Sequence, residues 1–154
     1  MPATPEARAA DPAGSVLGFD FGKRYIGVAV GNRISGARPL TTVTHGDAQP
    51  DWQRIDTLVR EWLPSQLIVG LPLQLDGSEQ TMARAARDFA AALEQRFQLP
   101  VALVDERLTS VEASRRFAEQ RARGTARRKD ASTLDAIAAQ IILENWFAQG
   151  SAGA

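Results

Sequence analysis

The chain has 154 residues, enough for one domain with a core of ordinary size. Its 18 basic and 18 acidic side chains cancel, which excludes a bulk polycation but leaves a local basic face open. The absence of cysteine excludes disulfides and thiolate zinc sites, and a single histidine, His45, gives little support to a histidine metal site or to Ser-His-Asp chemistry.

Residues 1–15 are rich in Ala and Pro, lack periodicity and lack the apolar segment of a signal peptide, so they read as a flexible tail. Val16 to Phe21 reads as a strand, Gly22-Lys23-Arg24 as a turn, and Tyr25 to Val30 as the second strand of a hairpin. A third strand is expected around Leu40 to Thr44. Trp52, Ile55, Leu58, Val59 and Trp62 recur at helical spacing until Pro64 stops them. Leu67 to Gly70 is a short buried strand, and a loop leads from it to Ser78, a plausible cap for a helix reaching about Gln98. Pro100 opens the strand Val101 to Val104, and Thr109 could cap a helix from Val111 to about Gln120. A last helix carries the stripe Leu134, Ile137, Ala138, Ile141, Ile142 and Trp146. Residues 149–154 read as a second flexible tail. No apolar run approaches the ~20 residues of a membrane span, so no membrane contact and a cytoplasmic location are expected.

This order predicts one α/β domain over residues 16–148. Its mixed five-stranded sheet would have three antiparallel strands and then two parallel ones, with helices on both faces.

Asp20 is the most informative residue. It lies inside the apolar run Val16 to Phe21, where an ionised carboxylate costs several kcal/mol unless it is paired or metal-bound. The bland alternative is a turn cap or an ion pair with Lys23 or Arg24. Gly18 and Gly22 would let another backbone, or a substrate phosphate, approach closely. Asp105 and Glu106 stand at the carboxyl end of a parallel strand, where ligands bind in open α/β sheets. Strand alternation sends them to opposite faces, so at most one meets Asp20. Glu106 is favoured for its reach, leaving Asp105 to a basic partner or a helix cap. Asp135, near the start of the last helix, could merely favour the helix dipole. Against that, Ala136, Ala138 and Ala139 make the helix narrow enough to approach the sheet and bring Asp135 toward Asp20. Three acids converging from separate elements suit a magnesium or manganese site for phosphodiester hydrolysis.

From Arg107 to Lys129 there are eight basic residues against two acids, Glu112 and Glu119. This could be a solvated charged face, or a patch that tracks phosphates. The candidates for holding nucleic acid are Lys23, Arg24, Arg107, Arg121, Arg123, Arg127, Arg128 and Lys129. No aromatic interleaves the basic loop, so no stacking platform is expected there. In the loop after Val69, Asp76-Gly77 reads as a turn, and Ser78 or Gln80 could hold a phosphate oxygen.

Several ordered motifs resemble the YqgF (RuvX-like) family. They are Leu17-Gly18-Phe19-Asp20-Phe21-Gly22, Ile26-Gly27-Val28-Ala29-Val30, Val69-Gly70-Leu71-Pro72, Asp76-Gly77-Ser78-Glu79-Gln80, Asp105-Glu106-Arg107-Leu108-Thr109-Ser110, Lys129 with Asp135, and Ile141-Ile142-Leu143. Members are described as Holliday-junction resolvases and as pre-16S ribosomal RNA nucleases. The resemblance implies a ribonuclease-H-like fold, a cytoplasmic hydrolase acting in maturation of 16S ribosomal RNA ends, and Asp20, Glu106 and Asp135 as catalytic acids and metal ligands. Structured RNA is favoured over branched DNA as partner, a Holliday-junction resolvase acting on branched DNA staying open as the alternative, with the pre-ribosomal particle as a setting and a monomer or homodimer as the working form. One departure from better-known nucleases of this fold is that the fourth strand ends in Val69-Gly70-Leu71-Pro72, without an acid. Two rivals remain at this point: an actin-like ATPase module, disfavoured by length, and a non-catalytic RNA-binding assembly factor.

Overall fold

The computed structural model describes residues 14–22, 24–46, 49–72, 81–106 and 131–153, together with Glu112, Arg115, Arg116, Ala118 and Glu119. Strands β1 (Val16–Phe21), β2 (Tyr25–Asn32) and β3 (Gly36–Thr44) come first. Helix α1 (Trp52–Trp62), β4 (Gln66–Leu71), α2 (Thr81–Phe97), β5 (Val101–Asp105) and α3 (Ala131–Gly153) follow. The sheet order is β3-β2-β1-β4-β5. The first three strands pair antiparallel, while β1–β4 and β4–β5 are parallel, as the element order predicted.

Strand alternation builds two different faces. Leu17, Phe19 and Phe21 of β1, with Ile26, Val28 and Val30 of β2 and Leu67 and Val69 of β4, pack on Ile55, Leu58 and Val59 of α1 and on Ala86, Phe89 and Leu93 of α2. Burying each large side chain of this layer is worth about 2 kcal/mol. The opposite face carries Val16, Ala29, Ile68 and Val104 against Ala139, Ile142 and Leu143 of α3. It is thinner because glycine replaces a side chain at the crossing points. A Cβ on Gly18 would stand 2.6 Å from Leu143 Cγ, and one on Gly27 2.0 Å from the Asp135 carbonyl oxygen. The room at Gly18 therefore admits a helix side chain rather than a phosphate.

Helix α1 begins where the Asp51 carboxylate accepts from the Arg54 N–H at 3.2 Å. It ends at Leu63 in the left-handed region (φ 46), just before Pro64. Strand β3 starts earlier than the β-branched run suggested. Asn32 Oδ1 accepts from the Ile34 and Ser35 N–H groups, both at 2.8 Å, and Gly36 takes φ +82, so the turn is complete by residue 36. Pro39 is tolerated because β3 is an edge strand, and the pairing shifts register beside it, between Val28 and Ala29.

Ser15, the last residue of the expected amino-terminal tail, is tied in by the Ser65 N–H at 2.8 Å. Residues 1–13 lie outside the described part. Helix α3 runs to Gly153, through the stretch 149–154 expected as a tail. The expected caps Ser78 and Thr109 lie outside the described residues. Glu112, Arg115, Arg116, Ala118 and Glu119 are helical, as the pattern from Val111 predicted. Among the described residues no helix is long and apolar enough to cross a membrane.

Candidate active site

β1 is the centre strand of five, and Asp20 faces the α3 side near its carboxyl end. Glu106 continues the line of β5, and its N–H donates to the Leu71 carbonyl at 3.1 Å. β4 separates β5 from β1, so a side chain from β5 must cross a whole strand to reach Asp20. Glutamate has that length, and Gly70 leaves the path clear. A Cβ on Gly70 would lie 2.4 Å from Glu106 Oε2 and 2.4 Å from Ile142 Cδ1. Glu106 and Asp20 are hydrogen-bonded to each other. The sequence-level departure at the end of β4 thus has a physical complement: the glycine there makes room for an acid from the next strand.

Asp105 is exposed and lies on the other side of β5, as alternation requires. Asp135 is the fifth residue of α3, past the first turn, so neither capping nor the helix dipole accounts for it. Its backbone rests on Gly27, the cross-strand partner of Asp20, and its charge acts on Asp20. Ala136, Ala138 and Ala139 are buried, giving the narrow helix that this approach needs.

The electrostatics follow from burial. Burial raises the Glu106 carboxyl to about 9, and the charge of Asp20, the hydrogen bond to Asp20 and the charge of Asp105 add to the rise. Burial also raises Asp20, to about 6; the hydrogen bond from Glu106 lowers it and Asp135 pushes it up. Near neutrality Glu106 holds the proton and donates it to the Asp20 carboxylate. Asp135 is raised as well, by burial. Among the described residues no lysine or arginine pairs with Asp20 or Glu106.

A pH dependence follows. The folded state keeps protons on these groups that the unfolded chain releases near 3.8 and 4.5. The metal-free protein therefore has the full stabilisation below pH ~4 and loses it as pH rises toward about 9, at about 1.4 kcal/mol per unit of displacement. Urea midpoints across that range should fall, and Glu106→Gln should flatten the slope.

The donor set is all oxygen, acidic and half-buried, which fits a hard divalent cation. Among the described residues no three acids or histidines yet form a closed ligand group. Asp20 and Glu106 stand as a pair, with Asp135 beside it at longer range.

Of the nucleic-acid candidates, Arg24 is described; it is exposed, at the tip of the β1–β2 turn. Lys23, Arg107, Arg121, Arg123, Arg127, Arg128 and Lys129 lie outside the described residues, as do Ser78 and Gln80. Two members of the basic stretch are committed internally: Arg115 pairs with Glu112 and Glu119, and Arg116 with Glu112 and Glu144. His45, which composition left without a role, fixes the turn beside Asp20. Its Nδ1 is 3.0 Å from the Gly22 carbonyl, its N–H donates to the Arg24 carbonyl at 2.7 Å, and its ring lies 4.8 Å from that of Phe21. Nothing in the one-dimensional pattern pointed to that contact.

A mixed sheet in this order, with an acid pair at the end of its central strand, defines the class: a ribonuclease-H-like α/β protein. Two solved structures share the architecture. The chain superposes on "Thermus thermophilus RuvC structure" with TM-score 0.52 at 17% identity, covering 88% of this chain and 96% of that one. It superposes on "T. thermophilus RuvC in complex with Holliday junction substrate" with TM-score 0.51 at 16% identity, covering 90% and 97%. The profile of the family described as "RuvX: Holliday junction resolvase" matches residues 14–149, and the chain belongs to that family. A relative from Xylella fastidiosa (strain M23), described as "Putative pre-16S rRNA nuclease", is 52% identical over 145 residues, 94% of each chain. One from Xanthomonas oryzae pv. oryzae (strain PXO99A), with the same description, is 50% identical over 145 residues, again 94% of each.

Proposed function

We propose that this protein is a divalent-metal-dependent nuclease, a hydrolase acting on phosphodiester bonds, and that its substrate is the 5′ end of precursor 16S ribosomal RNA. The observation that carries the reading is the half-buried Asp20–Glu106 pair, which shares a proton where no basic side chain among the described residues offsets its charge. The description of relatives at about half identity supports ribosomal RNA as the substrate.

Asp20, Glu106 and Asp135 would hold magnesium or manganese. A bound ion there supplies the charge that activates water and steadies a departing oxygen. The protein's own part is geometric. β1 and β5 fix two carboxylates on one sheet, and α3 brings the third over Gly27. Arg24 at the rim, with Lys23, Arg107, Arg121, Arg123, Arg127, Arg128 and Lys129, would hold phosphates and offset charge in the transition state. A cytoplasmic setting, on the pre-ribosomal particle, belongs to the same reading.

Branched DNA is the second reading, favoured by the family's description and by the fold shared with a resolvase. The test offers purified protein both a precursor ribosomal RNA fragment and a four-way DNA junction, with and without magnesium. Cleavage of the RNA alone is the expected result; cleavage of the junction alone moves the protein to the second reading. A resolvase cuts two strands related by a two-fold axis, so a solution mass of a symmetric dimer would accompany that outcome.

A further inference from the structure

Tyr25 is the single tyrosine of the chain and opens β2 with 47% of its surface exposed. Asp20 is paired with Gly27, so Tyr25 is the diagonal neighbour of Asp20 on the same sheet face. That places the two residues about 7 to 8 Å apart. Opposite Tyr25 on the β1 side is Gly22, whose N–H donates to the Tyr25 carbonyl at 3.1 Å, so no side chain crowds the ring from there. On the other side Tyr25 pairs with Thr44, which is small and exposed. Among the described residues no aromatic ring stacks on it. Its backbone is nonetheless held firmly, because His45 braces the turn at both Gly22 and Arg24.

A fixed, uncovered aromatic one diagonal step from the acid pair, with the exposed Arg24 next to it, matches what an unpaired nucleotide needs: a flat surface for the base and a cation for its phosphate. We propose that Tyr25 is a stacking platform for an unpaired base next to the phosphate held at Asp20. It rests on the nuclease reading above and adds to it a preference for a single-stranded segment at the cut. The sheet geometry puts this platform at the β1–β2 turn.

The experiment measures binding of a labelled single-stranded RNA by fluorescence anisotropy, and of the same RNA annealed to its complement. Every protein carries Asp20→Asn so that the strand stays uncut. Tyr25→Ala should weaken single-strand binding roughly 5- to 100-fold. Tyr25→Phe should bind like the parent, because the ring face is kept. Salt dependence should be unchanged in both, whereas Arg24→Ala should lower its slope by about 1. Binding of the duplex should be indifferent to Tyr25, and melting temperatures should match. Equal single-strand binding by Tyr25→Ala, or an equal loss with duplex, overturns the platform while leaving the nuclease reading intact if wild-type protein cleaves. Absence of both binding by the parent and cleavage by the wild type removes the reading and the platform together.

Discussion

Asp20→Asn is expected to abolish cleavage of a structured precursor RNA, by roughly 10³-fold or more, which is about 4 kcal/mol of transition-state stabilisation. The fold should survive. Asn is isosteric with Asp, sits in the same strand register opposite Gly27, and its amide oxygen can still accept from protonated Glu106. Removing a charge from a half-buried position relieves desolvation, so the metal-free variant should be at least as stable as wild type at neutral pH. The measurement is a single-turnover rate beside a urea melt. An unchanged rate removes Asp20 from the mechanism, and a collapsed fold would show that its role is structural.

Gly70→Ala is the second large effect. Its methyl would meet Glu106 Oε2 and Ile142 Cδ1, both at 2.4 Å, so one of these side chains must give way. Ile142 is fully buried on the sheet-facing side of α3 and has little room. Glu106 is then the group that moves, and it loses its path across β4 to Asp20. Stability should fall by about 1 to 3 kcal/mol from overpacking, while the affinity for manganese, read by calorimetry, should fall at least tenfold. The two effects separate in a double-mutant cycle. With Glu106→Gln already present, Gly70→Ala should further reduce stability but barely change metal affinity. A persistent additive loss of affinity would mean that Gly70 does not act through Glu106.

The two substitutions bear on how much was legible in the chain beforehand. Asp20 was legible because a charge inside Val16 to Phe21 contradicts its apolar surroundings. Strand alternation allowed only one of Asp105 and Glu106 to meet Asp20 and reach favoured Glu106; the structure places the two residues on opposite sides of the β5 line accordingly. The sheet order was legible because short links force hairpins and helical crossovers force parallel neighbours. Asp135 was only half legible. The alanines beside it suggested a close approach, but the surface it approaches, Gly27, lies on a strand more than a hundred residues earlier. Gly70 was visible as the absence of an acid, whereas its use as a passage depends on β4 lying between β1 and β5. His45 and Tyr25 were not legible as neighbours of the site, because their proximity comes from hairpin register and from a bridge between the end of β3 and the turn at Gly22. The early start of β3 was hidden by Arg38 and Pro39, which only an edge strand accommodates comfortably.

The central claim is that the carboxylates of residues 20, 106 and 135 take up one divalent cation. The most direct measurement is anomalous diffraction from crystals soaked in manganese. A peak at the carboxyl end of β1, with Asp20 and Glu106 oxygens within about 2.3 Å of it and Asp135 drawn in as a third ligand or through water, is the predicted result. Density showing Asp20 and Glu106 still joined through their shared proton, with manganese bound elsewhere or not at all, would contradict it.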